Sequence, residues 1–307
     1  MLVSLRNYSN YSICESNIKI DDLVNFASKN NLSAIGLTDY KLLSGSLEFS
    51  IKCQKAGIQP IIGLDIDYVS ILDHSKRVTF LSKSEEGFKN LNILSTEVNT
   101  NNNFLLNENN IKDYANGNIL LLGGLYSYFD DISINQKNLN KILNEIKNLK
   151  EVFKNDLFFE YDPNLNNTLL KEVSKKLGIP LFNSFFSFYK STNDFDAMQI
   201  LHCVKNGEYL QNSTFKINNN YSLDKSVDSS DNSLVLNSQL IAQKINFFIK
   251  EKPISLPNFS KELASDEDTE IIKQSRSGLD LRLKKLFRDL SIEEFNKKSK
   301  NYRDRLE

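Results

Sequence analysis

The stretch Ser33–Tyr68, SAIGLTDYKLLSGSLEFSIKCQKAGIQPIIGLDIDY, decides the fold class. It opens with a short apolar run, SAIGLT, and closes with a second run, QPIIGLDIDY, in which apolar and acidic residues alternate. Apolar runs of this length predict strands. Between them, residues 44–56 begin with a serine and end just before Gly57, which is typical of a helix. A strand, a helix and a second strand in succession predict parallel strands joined by a helical crossover.

The same alternation continues on both sides of this stretch. Further strands are predicted over residues 77–81, 118–122, 157–161 and 179–184, and helices over residues 20–31, 85–98, 139–153, 168–177 and 194–204. About seven strand–helix units in one chain favour a closed (β/α) barrel. The pattern by itself is also compatible with an open parallel sheet.

Composition excludes several classes of protein. The 307 residues carry 38 Lys+Arg against 39 Asp+Glu, so the formal net charge of −1 argues against a strongly basic nucleic-acid coat protein. The three cysteines form no C-x-x-C pair, which excludes a disulfide framework and favours a reducing, cytoplasmic setting. No apolar run reaches the roughly 18 residues that a membrane span needs. The two histidines, His74 and His202, leave carboxylates as the main candidates for metal ligands.

The amino-acid composition changes after Asn212, where Asn, Ser and Asp become frequent. We expect a barrel domain over residues 1–250, with a last helix over residues 238–249. A linker with two prolines is expected over residues 251–264, and a helical segment over residues 265–307. Residues 271–307 hold eleven Lys/Arg and six Asp/Glu. This excess indicates a solvated helix face, with contact to phosphates as the alternative.

Acidic residues at the ends of predicted strands are the first candidates for chemistry, because barrel enzymes place their sites there. Glu15, Asp39 and Asp65 could hold Mg²⁺ or Ca²⁺ loosely. Three carboxylates without a histidine disfavour a catalytic transition-metal site. The simpler interpretation is that Asp39 caps the turn that follows it and that Asp65 is an ordinary polar residue at a strand end.

A series of short segments follows the chain in a specific order: SLRNYSNYSICES (Ser4–Ser16), LTDYKLLSGSLEFSIKCQKAGIQPIIGLDI (Leu37–Ile66), TFLSKSEEGFKNL (Thr79–Leu91), GNILLLGG (Gly117–Gly124), STNDFDAMQIL (Ser191–Leu201), LPNF (Leu256–Phe259), GLDLRLKKLF (Gly278–Phe287) and YRDRLE (Tyr302–Glu307). In sequence and order these segments resemble the PHP (polymerase and histidinol phosphatase) domain at the N-terminus of bacterial DNA polymerase III alpha subunits. The resemblance covers nearly the whole chain. It implies an α/β fold, a PHP-type distorted (β/α)7 barrel, followed by the helical start of a polymerase core.

The resemblance also implies where metal-dependent members of the family hold their ligands. The corresponding positions in this sequence form the predicted pocket: Arg6, Tyr8, Glu15, Asp39, Tyr40, Asp65, Arg77, Gly124, Phe186 and Phe188. Every histidine of the family's set is replaced. Arg6 and Arg77 would repel a divalent cation, and they could pair with Glu15, Asp39 or Asp65. We therefore predict a vestigial, salt-bridged pocket with no catalytic residue, no metal and no cofactor.

Three functions remain open at this point. The resemblance favours a non-catalytic module of a replicative polymerase alpha subunit, in the bacterial cytoplasm, that braces the polymerase core and docks a proofreading exonuclease. Its further partners would be other holoenzyme subunits, and DNA through the full-length parent. The sequence lacks the P-D-x-D-x-D motif of the family's palm, where Mg²⁺ would act. The alternatives are an active metal-dependent phosphoesterase or 3′–5′ exonuclease, and a barrel that binds a phosphorylated small ligand through Arg6 and Arg77.

Overall fold

The computed structural model describes residues 3–72, 75–125, 136–213, 215, 217, 220–225, 232–251, 253–254 and 266–306. His74 therefore lies outside the described residues. The chain divides into two compact units, Met1–Glu251 and Lys252–Glu307. Each unit is described by itself.

The first unit is built on one seven-stranded sheet whose strand order follows the chain. The strands are β1 (Val3–Ser4), β2 (Ala34–Tyr40), β3 (Gln59–Val69), β4 (Ser75–Ser82), β5 (Asn118–Gly123), β6 (Leu157–Tyr161) and β7 (Leu181–Asn183). Beyond β1 and β7, a parallel bridge pairs Asn7 with Ser187, so the two ends of the sheet approach each other. The predicted (β/α)7-type barrel is confirmed.

The direction of β4 differs from the sequence prediction. Strands β1–β3 pair in parallel, as do β5–β7, but β4 is antiparallel to both of its neighbours. Only residues 70–74 separate β3 from β4. A parallel return needs a crossover of a dozen or more residues, so this short connection permits only an antiparallel pair.

Helices flank the sheet and close one end of it. They are α1 (Ile20–Lys29), α2 (Ser46–Lys55), α3 (Glu85–Thr100), α4 (Gln136–Phe153), α5 (Thr168–Leu177), α6 (Phe195–Asn206) and α7 (Asn232–Lys244). Helix α7 contacts both β1 and β7. Its residues Ile241 and Ala242, with Ile245 just after its end, share one buried cluster with residues from all seven strands. This helix therefore covers the gap between the first and last strands.

The second unit contains α8 (Glu267–Leu286) and α9 (Ile292–Asp304). Asp266 and Ser291 cap the two helices by accepting from backbone amides of the first turns. The ring of Phe287 contacts those of Phe295 and Tyr302, which holds the helices together. Among the described residues, no helix is long and apolar enough to cross a membrane.

Candidate functional site

The inside of the barrel changes from apolar to charged along strands β3 and β6. Because side chains alternate between the two faces of a strand, every second residue points the same way. The apolar members of the inner cluster, such as Ile61 on β3 and Phe158 on β6, lie towards the strand starts. Two and four residues after Ile61 come Gly63 and Asp65, and two residues after Phe158 comes Glu160. The same periodicity that builds the core thus places buried carboxylates in the second half of β3 and near the carboxyl end of β6.

Asp65 is the centre of a hydrogen-bonded network. Its Oδ1 accepts from Nη2 of Arg6 at 3.2 Å and from the hydroxyl of Thr79 at 2.7 Å. Its Oδ2 accepts from the hydroxyl of Tyr8 at 2.5 Å. Thr79 lies directly opposite Asp65 in the β3–β4 pair, so the sheet register fixes this contact. Asp65 is fully buried, and it is thus committed to protein donors.

Arg6 joins Asp65 to a second buried carboxylate, Glu160. Its Nε donates to Oε1 of Glu160 at 2.8 Å, and the same oxygen accepts from the hydroxyl of Ser184 at 2.6 Å. Burial raises the pKa of Glu160 to about 7, against the opposing effect of Arg6. Burial acts to lower the pKa of Arg6, but Glu160 and Asp65 outweigh it and raise that pKa above its ordinary value. The guanidinium therefore stays charged inside the barrel.

Arg77 makes a second, more exposed cluster with Glu15. Its two terminal nitrogens donate to the two oxygens of Glu15 at 3.2 and 2.8 Å, the bidentate geometry that suits a guanidinium and a carboxylate. Lys205 of α6 also donates to Glu15. Burial acts to raise the pKa of Glu15, but the hydrogen bonds from Arg77 and Lys205 lower it below the ordinary value. A further ion pair of 3.7 Å links Arg77 to Asp65, so the two clusters form one network.

The rim of the network is aromatic as well as ionic. The guanidinium carbon of Arg77 lies 3.7 Å from the ring centroid of Tyr40. The hydroxyl of Tyr40 donates to Asp67 at 2.6 Å, and the Nζ of Lys41 lies 2.6 Å from the same carboxylate. Burial, together with the bond to Asp67, raises the pKa of Tyr40. Tyr40 therefore stays neutral, although its neighbours at the rim of the network are charged.

Asp39 has a different role from the other carboxylates. It accepts from the backbone amide and hydroxyl of Ser9 at 2.6 and 2.7 Å and from the hydroxyl of Ser12 at 2.6 Å. Burial raises its pKa despite these bonds. The suggestion that Asp39 caps the turn that follows it is wrong. Its carboxylate instead accepts hydrogen bonds from Ser9 and Ser12, in the loop between β1 and α1. Within the part of the chain that the structure describes, Asp39 forms no ion pair with Arg6 or Arg77, although pairing with them was an alternative.

Aromatic rings occupy the remaining pocket positions. Tyr8 stacks on Phe188 with 4.8 Å between ring centroids, and the guanidinium carbon of Arg6 lies 4.3 Å from the centroid of Phe186. Gly124 has a φ of +69°, and a Cβ added there would lie 2.5 Å from a ring carbon of Phe186. Phe186 therefore fills the space that a side chain at position 124 would need.

The residues present do not fit a divalent metal. Arg6 and Arg77 place positive charge beside Asp65, and Glu15 is neutralised by Arg77 and Lys205. Within the described ranges, no group of three or more His, Cys, Asp or Glu side chains is arranged to hold a metal ion. The proposal that the ten pocket positions once formed a metal site stays a prediction.

Sequence reasoning missed several members of the network. Glu160, Asp67, Lys41 and Lys205 were absent from the predicted pocket, yet each has an ion pair in it. For Glu160 a signal existed, since it is the single charged residue of the strand LFFEY. For Lys205 there was none, because its partner Glu15 lies 190 residues away along the chain.

A barrel of seven strands with an ionic network at the strand ends is the class of protein that this structure defines. The PHP domain family matches residues 4–164, just over half of the chain, and the chain belongs to that family. It is 28% identical over 328 residues to the DNA polymerase III subunit alpha of Buchnera aphidicola subsp. Acyrthosiphon pisum, covering 99% of this chain and 28% of the relative. It is 29% identical over 313 residues to that of Rickettsia conorii, covering 94% and 26%.

The chain thus spans about a quarter of the length of these two relatives. Among solved structures, an amidohydrolase from Chromobacterium violaceum is similar with a TM-score of 0.44 and 8% identity, covering 62% of this chain and 88% of that one.

Proposed function

We propose that this chain is the N-terminal PHP portion of a replicative DNA polymerase III alpha subunit and that its barrel is structural, not catalytic. The observation that carries the proposal is that the guanidiniums of Arg6 and Arg77 are both ion-paired to Asp65. The resemblance implies that these two positions hold histidine ligands in metal-dependent members of the family. A divalent cation at Asp65 would meet two fixed positive charges, whose repulsion is strong in a buried site. The barrel would therefore need neither metal nor cofactor.

The network supports a bracing role. Its members come from the segment after β1, from β3, β4 and β6, and from α6, so the ion pairs tie distant parts of the chain together. Buried ion pairs of this kind add little net stability, but they can fix how elements are positioned. We assign residues 265–307 to the first helices that lead to a palm. Nucleotidyl transfer with Mg²⁺ would then belong to a palm that these residues do not contain, acting in the bacterial cytoplasm.

An exposed apolar surface supports a docking role. Val204 and Tyr209, on and just after α6, are 69% and 78% exposed, and Ile13 is 72% exposed. The ion pair between Lys205 and Glu15 brings these two segments together. Exposed apolar groups gathered in one region mark interaction surfaces. We propose that this face docks a separate proofreading exonuclease, within a holoenzyme that handles DNA.

A metal titration tests the non-catalytic assignment. We expect isothermal titration of the purified protein with Mn²⁺ or Zn²⁺ to show no binding in the micromolar range, and we expect no release of nucleotides from single-stranded DNA. A variant in which Arg6 and Arg77 are both changed to His is the matched comparison. Micromolar binding by the unaltered protein together with nuclease activity would show that the alternative, an active phosphoesterase or exonuclease, is correct.

Docking is tested separately by co-elution with the exonuclease subunit of the same organism. We expect Val204→Asp with Tyr209→Asp to abolish co-elution. Leu47→Asp, at a residue of α2 that is also exposed, is the control and should leave it unchanged. Circular dichroism of each variant separates loss of docking from loss of fold. Equal co-elution of the two variants would contradict the proposed face.

A further inference from the structure

A second candidate site lies on the outside of the barrel. A cleft of about 280 Å³ opens between α5 and α7, beside β6 and β7. Two lysines of α5, Lys171 and Lys175, form part of its lining, together with Tyr161, Leu181 and residues of α7. The described residues that line the cleft include no carboxylate. The cleft is therefore positive, in a chain whose formal net charge is −1.

The two lysines repel each other, and they have no counter-charge among the described residues. They stand four residues apart on one helix and so lie on the same side, where like charges are mutually destabilising. No ion pair joins either lysine to a carboxylate of the described residues. By contrast, Lys83 and Lys244 nearby in the barrel share Asp156. An anion in the cleft would relieve this repulsion.

The position of Lys171 is fixed by an aromatic ring. Its Nζ lies 4.8 Å from the ring centroid of Tyr161, a cation–π contact that limits the freedom of the lysine. On the facing side, Asn237 donates to the backbone carbonyl of Leu181 at 2.7 Å, which holds α7 against β7. Leu181 and Leu234 supply an apolar part of the lining. The walls are thus held in place, with charge on one side and apolar surface beside it.

We propose that this cleft binds a phosphate group carried on a partly apolar organic body, as in a nucleotide. Lysines bind phosphates as point charges, and the leucines would contact the sugar or base. The volume is at the lower end of small-ligand sites, so it accommodates one nucleotide unit and not a longer segment. A phosphate group on such a body can come from two sources, a free nucleotide or a single-stranded nucleic acid. The proposal is independent of the barrel mouth and of exonuclease docking.

Fluorescence anisotropy with a short fluorescein-labelled oligothymidylate, with dTMP and inorganic phosphate as competitors, tests the proposal. We expect Lys171→Gln and Lys175→Gln each to weaken binding about tenfold, because each removes a charge-assisted bond. Lys176→Gln, on the same helix but outside the lining, should bind as the unaltered protein does. Tyr161→Leu should weaken binding several-fold, and Tyr161→Phe should restore it because the ring is kept.

The outcomes separate the sources and can overturn the site. Binding of dTMP without binding of the oligothymidylate supports a free nucleotide, and binding of the oligothymidylate that dTMP displaces only weakly supports a nucleic-acid strand. The site is overturned if neither the oligothymidylate, followed by anisotropy, nor dTMP, followed by isothermal titration, binds, or if Lys176→Gln weakens binding as much as Lys171→Gln. It is also overturned if all lysine variants bind equally, as they would if the basic α8 and α9 were the contact. Equal competition by inorganic phosphate would rule out the organic body. Thermal melting confirms that each variant is folded.

Discussion

The Nε atom of Arg6 lies 2.8 Å from Oε1 of Glu160, and the two side chains are only 2% and 1% exposed. The chain separates these residues by 154 positions. The ion pair therefore connects the segment after β1 to β6 across the inside of the barrel. A buried pair adds little over well-packed apolar residues, but breaking it leaves an uncompensated charge.

We expect Arg6→Met to lower the free energy of unfolding by about 3–5 kcal/mol, because Glu160 loses its buried counter-charge and Asp65 keeps only the 3.7 Å ion pair with Arg77. Urea unfolding at neutral pH, followed by circular dichroism, measures this loss. Lys41→Met is the control, since its pair with Asp67 is at the surface and should be worth about 1 kcal/mol or less. The double variant Arg6→Met with Glu160→Leu should be less destabilised than Arg6→Met alone. A loss for Arg6→Met no larger than that of Lys41→Met would contradict this account.

The two cations that bind Glu15 should differ in their contributions. Arg77 is 13% exposed, makes two hydrogen bonds to Glu15 and stacks on Tyr40, whereas Lys205 is 37% exposed. We expect Arg77→Met to destabilise the protein by about 3 kcal/mol or more and Lys205→Met by about 1 kcal/mol or less. The same urea measurement ranks them. The opposite ranking would mean that α6, and not β4, neutralises Glu15.

The raised pKa of Glu160 predicts a pH dependence of stability with a definite sign. Its pKa is about 7 in the folded protein against 4.5 for the unfolded group. Between these values the folded state binds more protons than the unfolded state, so stability falls as pH rises through this window and levels off above it. Relative to Glu160→Gln, the unaltered protein should lose a few kcal/mol between about pH 4.5 and pH 7.

Unfolding free energies of both proteins across this pH range check the prediction. Glu15 provides a contrast, since its lowered pKa contributes stability that is lost as pH falls below 4.5. Comparison of Glu15→Gln with the unaltered protein should therefore show a difference that shrinks in acid. If Glu160→Gln and the unaltered protein have parallel stability curves from pH 4.5 to pH 7, the account of Glu160 is wrong.

Local patterns were enough to predict most of the sheet. Apolar runs such as LFFEY and QPIIGLDIDY became β6 and β3 because their periodicity is decisive within a few residues. The direction of β4 was missed because the prediction weighed the alternation of elements and not the length of residues 70–74. The last helix of the barrel domain was predicted over residues 238–249, whereas the structure has α7 over Asn232–Lys244. Ser238 does not start it, because its buried hydroxyl donates to the carbonyl of Leu234 within the helix.

The charged pairs were harder to predict than the strands. The resemblance indicated that Arg6, Asp65 and Arg77 belong to the pocket. As possible ion-pair partners of Arg6 it offered only the carboxylates of the same motifs, and Glu160 was not among them. Glu160 belongs to the network only because β6 pairs in parallel with β5, in a register that turns the side chain of Glu160 to the inside of the barrel. Contacts of this kind depend on the register of the whole barrel, and no local pattern encodes it.

Gly124 and Phe186 give the sharpest steric prediction. A Cβ at position 124 would approach the ring of Phe186 to 2.5 Å, and the φ of +69° disfavours any residue but glycine. Gly207 is a matched control, because its φ is +66° and an added Cβ would meet nothing within 4 Å. We expect Gly207→Ala to cost about 1 kcal/mol from backbone strain alone, and Gly124→Ala to cost about 1–3 kcal/mol more from overpacking.

Replacing Phe186 with the smaller leucine should separate the cost of backbone strain from the cost of overpacking. In the double variant Gly124→Ala with Phe186→Leu, the contact of the added methyl group with the ring is removed, while its approach to Oε2 of Glu160 at 2.8 Å remains. The double variant should therefore be less destabilised than the sum of the single variants by at least about 1 kcal/mol. Thermal or urea unfolding of the four variants measures this coupling. Additive losses would show that Phe186 does not fill the space beside position 124, and that backbone conformation and the nearby Glu160 carboxylate account for the glycine there.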